Sequence, residues 1–144
     1  MRRTTLRVTL WLVALASPQV FAAGDSGPAL RQGLWRFERT FEYADGRASG
    51  EPLTSEQCAD PLALGDEQLA MMRKLGCSAE RTRAGVAEWR HRVTCDRPGL
   101  PKGSSTSVQT VLSPDAYEVR VVNEGELALT VLSERLVARR VGDC

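Results

Sequence analysis

Four cysteines constrain this chain more than any other feature, and the stretch from Cys77 to Cys95 does so most of all. Two extended runs, Cys77 to Arg83 and Val86 to Cys95, fold back on each other through Ala84-Gly85, which puts one cysteine at each open end of a hairpin. An even, widely spaced set of this kind reads as two disulfides. A structural zinc site would need close ligand pairs or a set of two cysteines and two histidines. Here the nearest cysteines stand at 58, 77 and 95, and His91 is the only histidine.

Disulfides call for an oxidising compartment, and the N-terminus supplies a route to one. Arg2, Arg3 and Arg7 precede an apolar run from Val8 to Ala16, followed by Pro18 and Val20-Phe21-Ala22. This is the layout of a secretory signal peptide over 1–22, with Ala23 as the first residue after cleavage. The apolar run is well short of the roughly 20 residues that span a bilayer. No cysteine follows it for lipid attachment, so no stable membrane anchor is expected and the mature domain, 23–144, is expected to be periplasmic or secreted.

Removing 1–22 takes away three of the 19 basic residues and no acid, leaving 16 basic against 18 acidic. Charges of both signs intersperse along the chain, as in Arg36, Glu38, Arg39 and Glu42, in the manner of a solvated sheet face. Nucleic-acid binding needs a clustered basic surface, and none is present in the sequence. At 42% hydrophobic and 26% charged residues, the composition is that of one globular domain.

Along the mature chain the apolar period is two from Leu34 to Tyr43, with Trp35, Phe37, Arg39, Phe41 and Tyr43 on one face. Asp45-Gly46 supplies turn chemistry and Glu51 to Cys58 returns as a weaker strand, with Pro52 marking an edge. Asp60-Pro61 opens a short helix, Asp66 beyond Gly65 offers a second start, and Gly76 ends it. The Leu69, Met72 and Leu75 stripe packs on the sheet. In the central hairpin Ala87, Trp89, His91, Val93 and Cys95 share a face. Asp96 to Ser104 is the longest irregular segment; Thr106, Val108, Thr110 and Leu112 mark the next strand, and Tyr117, Val119 and Val121 the one after. The run from Leu127 to Val141 is too long for one regular strand, and its phase slip points to a bulge near Ser133.

These elements give an all-β fold: a single antiparallel β-barrel or strongly curved sheet, a meander of about seven strands with one short helix. Strand direction then decides the disulfides. If Cys77 starts an upward strand, Cys95 ends the next one beside it. The following strands run up, down and up, leaving Cys144 at the top, where Cys58 also finishes if the first strand pairs with the last. Disulfides need Cα atoms within about 7 Å, so the expected pairs are Cys77 with Cys95 and Cys58 with Cys144.

Any catalytic triad, metal triad or histidine base must use His91, whose neighbours Arg90 and Arg92 would lower its pKa if close in space. It is read as a partly buried structural side chain, with ligand contact as the next reading. Arg39, alone among aromatic side chains on its face, needs a carboxylate across the sheet, an open end, or a ring to stack on. Trp35 and Trp89 complete the candidate ligand contacts. Phosphate loops, G-x-S-x-G, H-E-x-x-H and EF-hand patterns are absent from the sequence, and no cofactor or metal is implied.

Gly33-Leu34-Trp35 opening the first strand, a cysteine before the helix, Leu75-Gly76-Cys77 after it, the strand ending in Cys95, and the terminal Arg139-Arg140-Val141-Gly142-Asp143-Cys144 together resemble the small exported bacterial proteins grouped as domain of unknown function 3617. The resemblance implies export and an all-β fold. It carries over no catalytic or binding residue. The chain departs from the usual member in having few methionines and threonines in its later strands and no methionine- and proline-rich insert before Cys58.

The reading is a non-enzymatic exported accessory or inhibitor-like binding module that meets an envelope protein through its outer surface and loops. The alternative is a carrier of a small apolar ligand inside the barrel, and the third reading a hydrolase using His91. Volume separates the first two. With Trp35, Phe37, Phe41, Tyr43, Trp89 and His91 all turned inward, no enclosed pocket should reach the roughly 300 Å³ at which ligand sites begin; a cavity between Trp35 and Trp89 would favour the carrier.

Overall fold

The computed structural model describes residues 29–144; the signal peptide expected over 1–22 and the expected mature N-terminus, Ala23, lie outside the described residues. Seven antiparallel strands, β1 Gly33–Tyr43, β2 Leu53–Ala59, β3 Ser78–Gly85, β4 Glu88–Cys95, β5 Gly103–Ser113, β6 Ala116–Gly125 and β7 Val131–Gly142, form one sheet. The helix α1, Pro61–Lys74, joins β2 to β3, and a short 3-10 turn, Glu126–Leu129, precedes β7.

The strand order is β2-β1-β7-β6-β5-β4-β3, so the sheet is open and the barrel expectation is corrected. The edge strands β2 and β3 do not pair. The chain between them is spent on α1, which borders the inner face, the one carrying Trp35 and Phe37, from above. The curved-sheet alternative fits. β2 and β4 stand five positions apart, about 24 Å in a flat sheet, yet Ser55 of β2 and His91 of β4 border one recess.

The period-two pattern of β1 explains the core. Trp35 and Phe37 are buried while Arg36 and Glu38 are exposed. The register carries the buried row across the sheet through Phe37, Ala138, Tyr117 and Val111, and Leu30 and Trp35 complete the cluster. Trp35 is fully buried; its Nε1 donates to the Arg31 carbonyl at 3.1 Å and its ring lies 5.4 Å from that of Tyr117. Phe41 and Tyr43 stack 6.5 Å apart farther along the same face, beside the Asp45-Gly46 turn. The aromatic residues of β1 thus stand in pairs on either side of Arg39, and Phe37 reaches the middle of the face.

α1 begins at Asp60, whose carboxylate accepts from the Leu62 and Ala63 amides at 3.1 and 3.3 Å, with Pro61 as first helical residue. It runs through Gly65 without a break, so Asp66 does not start a second helix. It stops at a Schellman motif, with Gly76 donating to the Arg73 carbonyl at 2.9 Å and Cys77 to Met72 at 3.1 Å. The helix buries only Pro61 and Leu69, so packing alone holds it weakly. Polar ties assist: Arg73 donates twice to the Ala79 carbonyl, at 3.0 and 2.7 Å, and Asp66 accepts from Arg81 at 2.9 Å. Covalent ties assist more. Cys58, just before the helix, is joined to Cys144 with Cα atoms 5.8 Å apart, and Cys77, just after it, to Cys95 at 4.5 Å. Both links join the cysteines that the strand directions bring to the same end.

The last run also divides differently from the sequence pattern. Glu126–Leu129 is a 3-10 turn rather than strand, because Gly125, at φ 71°, turns the chain out of β6. One of the two irregularities in the β1–β7 ladder falls between Ser133 and Val131, beside the position that the phase slip marks.

Candidate functional site

The free middle of the inner face is a cleft of about 450 Å³, roofed by α1 and bordered by every strand except β3. Aromatic side chains line this face without filling it: Phe37 and Tyr117 lie in the floor of the cleft, while Trp35, Phe41 and Tyr43 stand outside it. The register explains the floor: Phe37, Tyr117, Val119, Val121 and Leu136 lie on neighbouring rows and are apolar. The rim is polar and comes from distant parts of the chain, with Ser55 and Gln57 from β2, Gln68 from α1, and Ser107 and Gln109 from β5. Recesses of similar volume lie at the β1–β2 hairpin and beside the terminal disulfide, but each is built from fewer elements.

Two of the four residues expected to contact a ligand stand in this cleft. Arg39 borders it and reaches Glu134 on β7, Nη1 to Oε1 3.3 Å, which resolves its need for a carboxylate. With both charges engaged, the rim carries no isolated full charge from this pair. His91 also borders the cleft, directly opposite Ser107 in the β4–β5 register. Burial and the nearby Arg81 guanidinium push its pKa below the usual histidine value, and the more distant Asp66 opposes them. The depressing charge comes from the facing strand β3 rather than from the sequence neighbours Arg90 and Arg92, whose side chains share the opposite face. Nε2 of His91 is buried and has no hydrogen-bond partner among the described residues. Tyr117, at the floor, has its pKa pushed up to about 12 by burial, and Arg39 only partly offsets this, so the phenol stays protonated.

Trp35 and Trp89, the other two expected contacts, do not border the cleft. Trp35 is sealed in the core. Trp89 is covered by cations: the guanidinium carbons of Arg81 and Arg83 lie 4.4 and 5.1 Å from its ring. Ser107 and His91 face each other, but no hydrogen bond joins them, and the Asp66 carboxylate is held by Arg81. No chain of nucleophile, base and orienting acid is assembled there. Among the described residues no three His, Cys, Asp or Glu side chains are grouped to hold a metal ion, and no helix is long and apolar enough to cross a membrane.

The cleft, both disulfides and α1 all fall within residues 30–144, which match the family model described as protein of unknown function, DUF3617. The chain belongs to the DUF3617 family. No curated protein and no solved structure matches it. What the sequence of this DUF3617 domain concealed is the polarity of the cleft. In β5 the even positions Thr106, Val108, Thr110 and Leu112 carry the visible apolar alternation, yet the odd positions Ser107 and Gln109 line the inner face. Gln57, Gln68 and Glu134 gave no signal either, since isolated polar residues in strands and helices ordinarily face solvent. The one usable hint was the pairing of an inward Arg39 with a strand, β7, that carries Glu134 out of phase with its exposed charges.

Proposed function

We propose that this protein is an exported, non-enzymatic accessory of the cell envelope that binds a small uncharged ligand in the cleft between its curved sheet and α1. The observation that carries this reading is the composition of the cleft: a volume above the roughly 300 Å³ lower bound of ligand sites, an apolar floor, and a rim of neutral hydrogen-bonding side chains from β2, α1 and β5. This reading puts binding in the cleft rather than on the outer surface and loops. The mixed lining of the cleft also disfavours a purely apolar cargo, which would leave Gln109 and Ser107 without partners. The signal-peptide layout expected over 1–22 and the two disulfides support export to the periplasm or beyond.

The test is thermal unfolding of the oxidised mature protein against uncharged soluble saccharides such as maltose and methyl glucoside. Ligand at about 100 times its Kd stabilises the folded state by about 2.7 kcal/mol. A saturable rise in melting temperature that is lost in Gln109→Leu, a change of similar volume, supports the cleft. A rise that Gln109→Leu leaves intact places binding elsewhere and sinks the reading.

A further inference from the structure

Under the C-terminal half of α1 lies a second recess, of about 390 Å³, lined by Leu69, Met71, Met72 and Val93. Four residues, Gly65, Gln68, His91 and Ser107, border both this recess and the cleft. The two volumes therefore share a wall, with Gly65 in the roof above it. Glycine inside a helix costs about 1 kcal/mol relative to alanine, and α1 carries this one in mid-helix although it packs only weakly. A Cβ placed on Gly65 would meet no atom within 4 Å, so no close packing requires the glycine. The empty space it leaves lies where the polar and apolar recesses adjoin. His91 borders both recesses at the same junction, with its Nε2 itself buried.

We infer that the cleft and the recess are two compartments of one site, joined beneath Gly65, for an amphiphile with an uncharged, hydroxyl-bearing head and a single alkyl tail. The inference rests on the cleft reading above and adds the class of ligand. The head belongs in the cleft because Gln57, Gln68, Gln109 and Ser107 both donate and accept, as hydroxyls do. A charged head finds no free counter-charge there, since Arg39 is engaged by Glu134. The tail belongs in the recess because Leu69, Met72 and Val93 offer apolar surface, and methionine adapts to a flexible chain.

The probes are alkyl maltosides of increasing chain length, titrated below their micelle concentrations into the oxidised mature protein and read by calorimetry. Affinity should rise about fourfold per added methylene, the equivalent of about 0.8 kcal/mol, and level off when the recess is full. Alkyl sulfates and alkyltrimethylammonium ions of equal length should bind at least tenfold more weakly than the maltoside. Gly65→Leu puts a side chain into the passage while favouring the helix, so the long-chain maltosides should lose at least tenfold in affinity with no fall in melting temperature. Gln109→Leu should weaken every member of the series. If Gln109→Leu weakens binding but chain length and Gly65→Leu do not matter, the joined site is wrong and the cleft reading stands. If neither variant changes binding, both are wrong. Equal affinity for charged heads overturns the ligand class, and absence of saturable binding across the series overturns the inference, whereas a maltose effect that depends on Gln109 would still uphold the cleft.

Discussion

The guanidinium of Arg39 lies 3.3 Å from the Glu134 carboxylate, a pair formed diagonally across the β1–β7 ladder at the edge of the cleft. It answers the problem posed by an arginine among aromatic residues, and it does so at partial exposure, with the side chains 44% and 20% accessible. Such a pair is screened by water and is worth about 0.5 to 1 kcal/mol at most. A double-mutant cycle with Arg39→Gln and Glu134→Gln in urea unfolding should give a coupling of that size, and it should fade in about 1 M salt, where the Debye length falls to about 3 Å. A coupling well above that range, or one insensitive to salt, would mean that the cleft excludes water from the pair.

The disulfides bracket α1, but they close loops of very different length, 86 residues for Cys58–Cys144 and 18 for Cys77–Cys95. On the chain-entropy account the longer link contributes about 4.6 kcal/mol and the shorter about 3.2 kcal/mol. Replacing Cys58 and Cys144 by serine should therefore cost more than replacing Cys77 and Cys95, by about 1 to 1.5 kcal/mol in denaturant unfolding. The reverse order would show that pinning the central hairpin matters more than restricting the unfolded chain.

How much of this could be read beforehand varies with the kind of interaction. Strand positions follow from local alternation, and the disulfide pairs follow from strand direction, because both depend on short stretches and on geometry that any antiparallel meander shares. The Asp60-Pro61 start and the Gly76 stop of α1 are local capping chemistry and were equally legible. Closure of the sheet was not, since it turns on whether β2 and β3 meet, and no local pattern encodes the meeting of two distant edges. The cleft was hidden for a related reason. Trp35, Phe37, Phe41 and Tyr43 share one face with Arg39 between them, as their spacing says, but the sequence does not say that a cleft opens over Arg39 beneath α1. Ser107 and Gln109 acquire meaning only once the register sets them opposite His91 and Trp89.

Gly76 offers a sharper test of the helix terminus than any residue in α1 itself. Its φ of 86° lies in the left-handed region, and a Cβ there would also fall on the Arg97 side chain. Gly76→Ala should lower stability by about 1 kcal/mol for the backbone alone, and more if Arg97 cannot swing aside. Adding Arg97→Ala to the variant separates the two contributions. If the single substitution costs nothing in urea unfolding, the Schellman ending does not hold the helix.

The pH dependence of stability should carry the signature of His91, the only histidine in the chain. Burial and then Arg81 hold its pKa below 6.5, against a smaller opposing effect of Asp66, while the groups facing it from α1 and β5, Gln68 and Ser107, do not titrate. With the folded pKa below the unfolded one, the unfolded chain binds more protons at pH values between the two. The contribution is fully present above about pH 6.5 and is lost as the pH falls from there through the folded value. The depressed carboxylates Asp60 and Asp115 behave with the same sign but start from 3.8, so they act only at lower pH. In urea unfolding the protein should therefore lose stability between about pH 7 and pH 5, and His91→Gln should lose less over the same interval. If the variant falls as steeply as the parent, or if the parent gains stability on acidification, His91 is not held neutral at the junction of the two recesses.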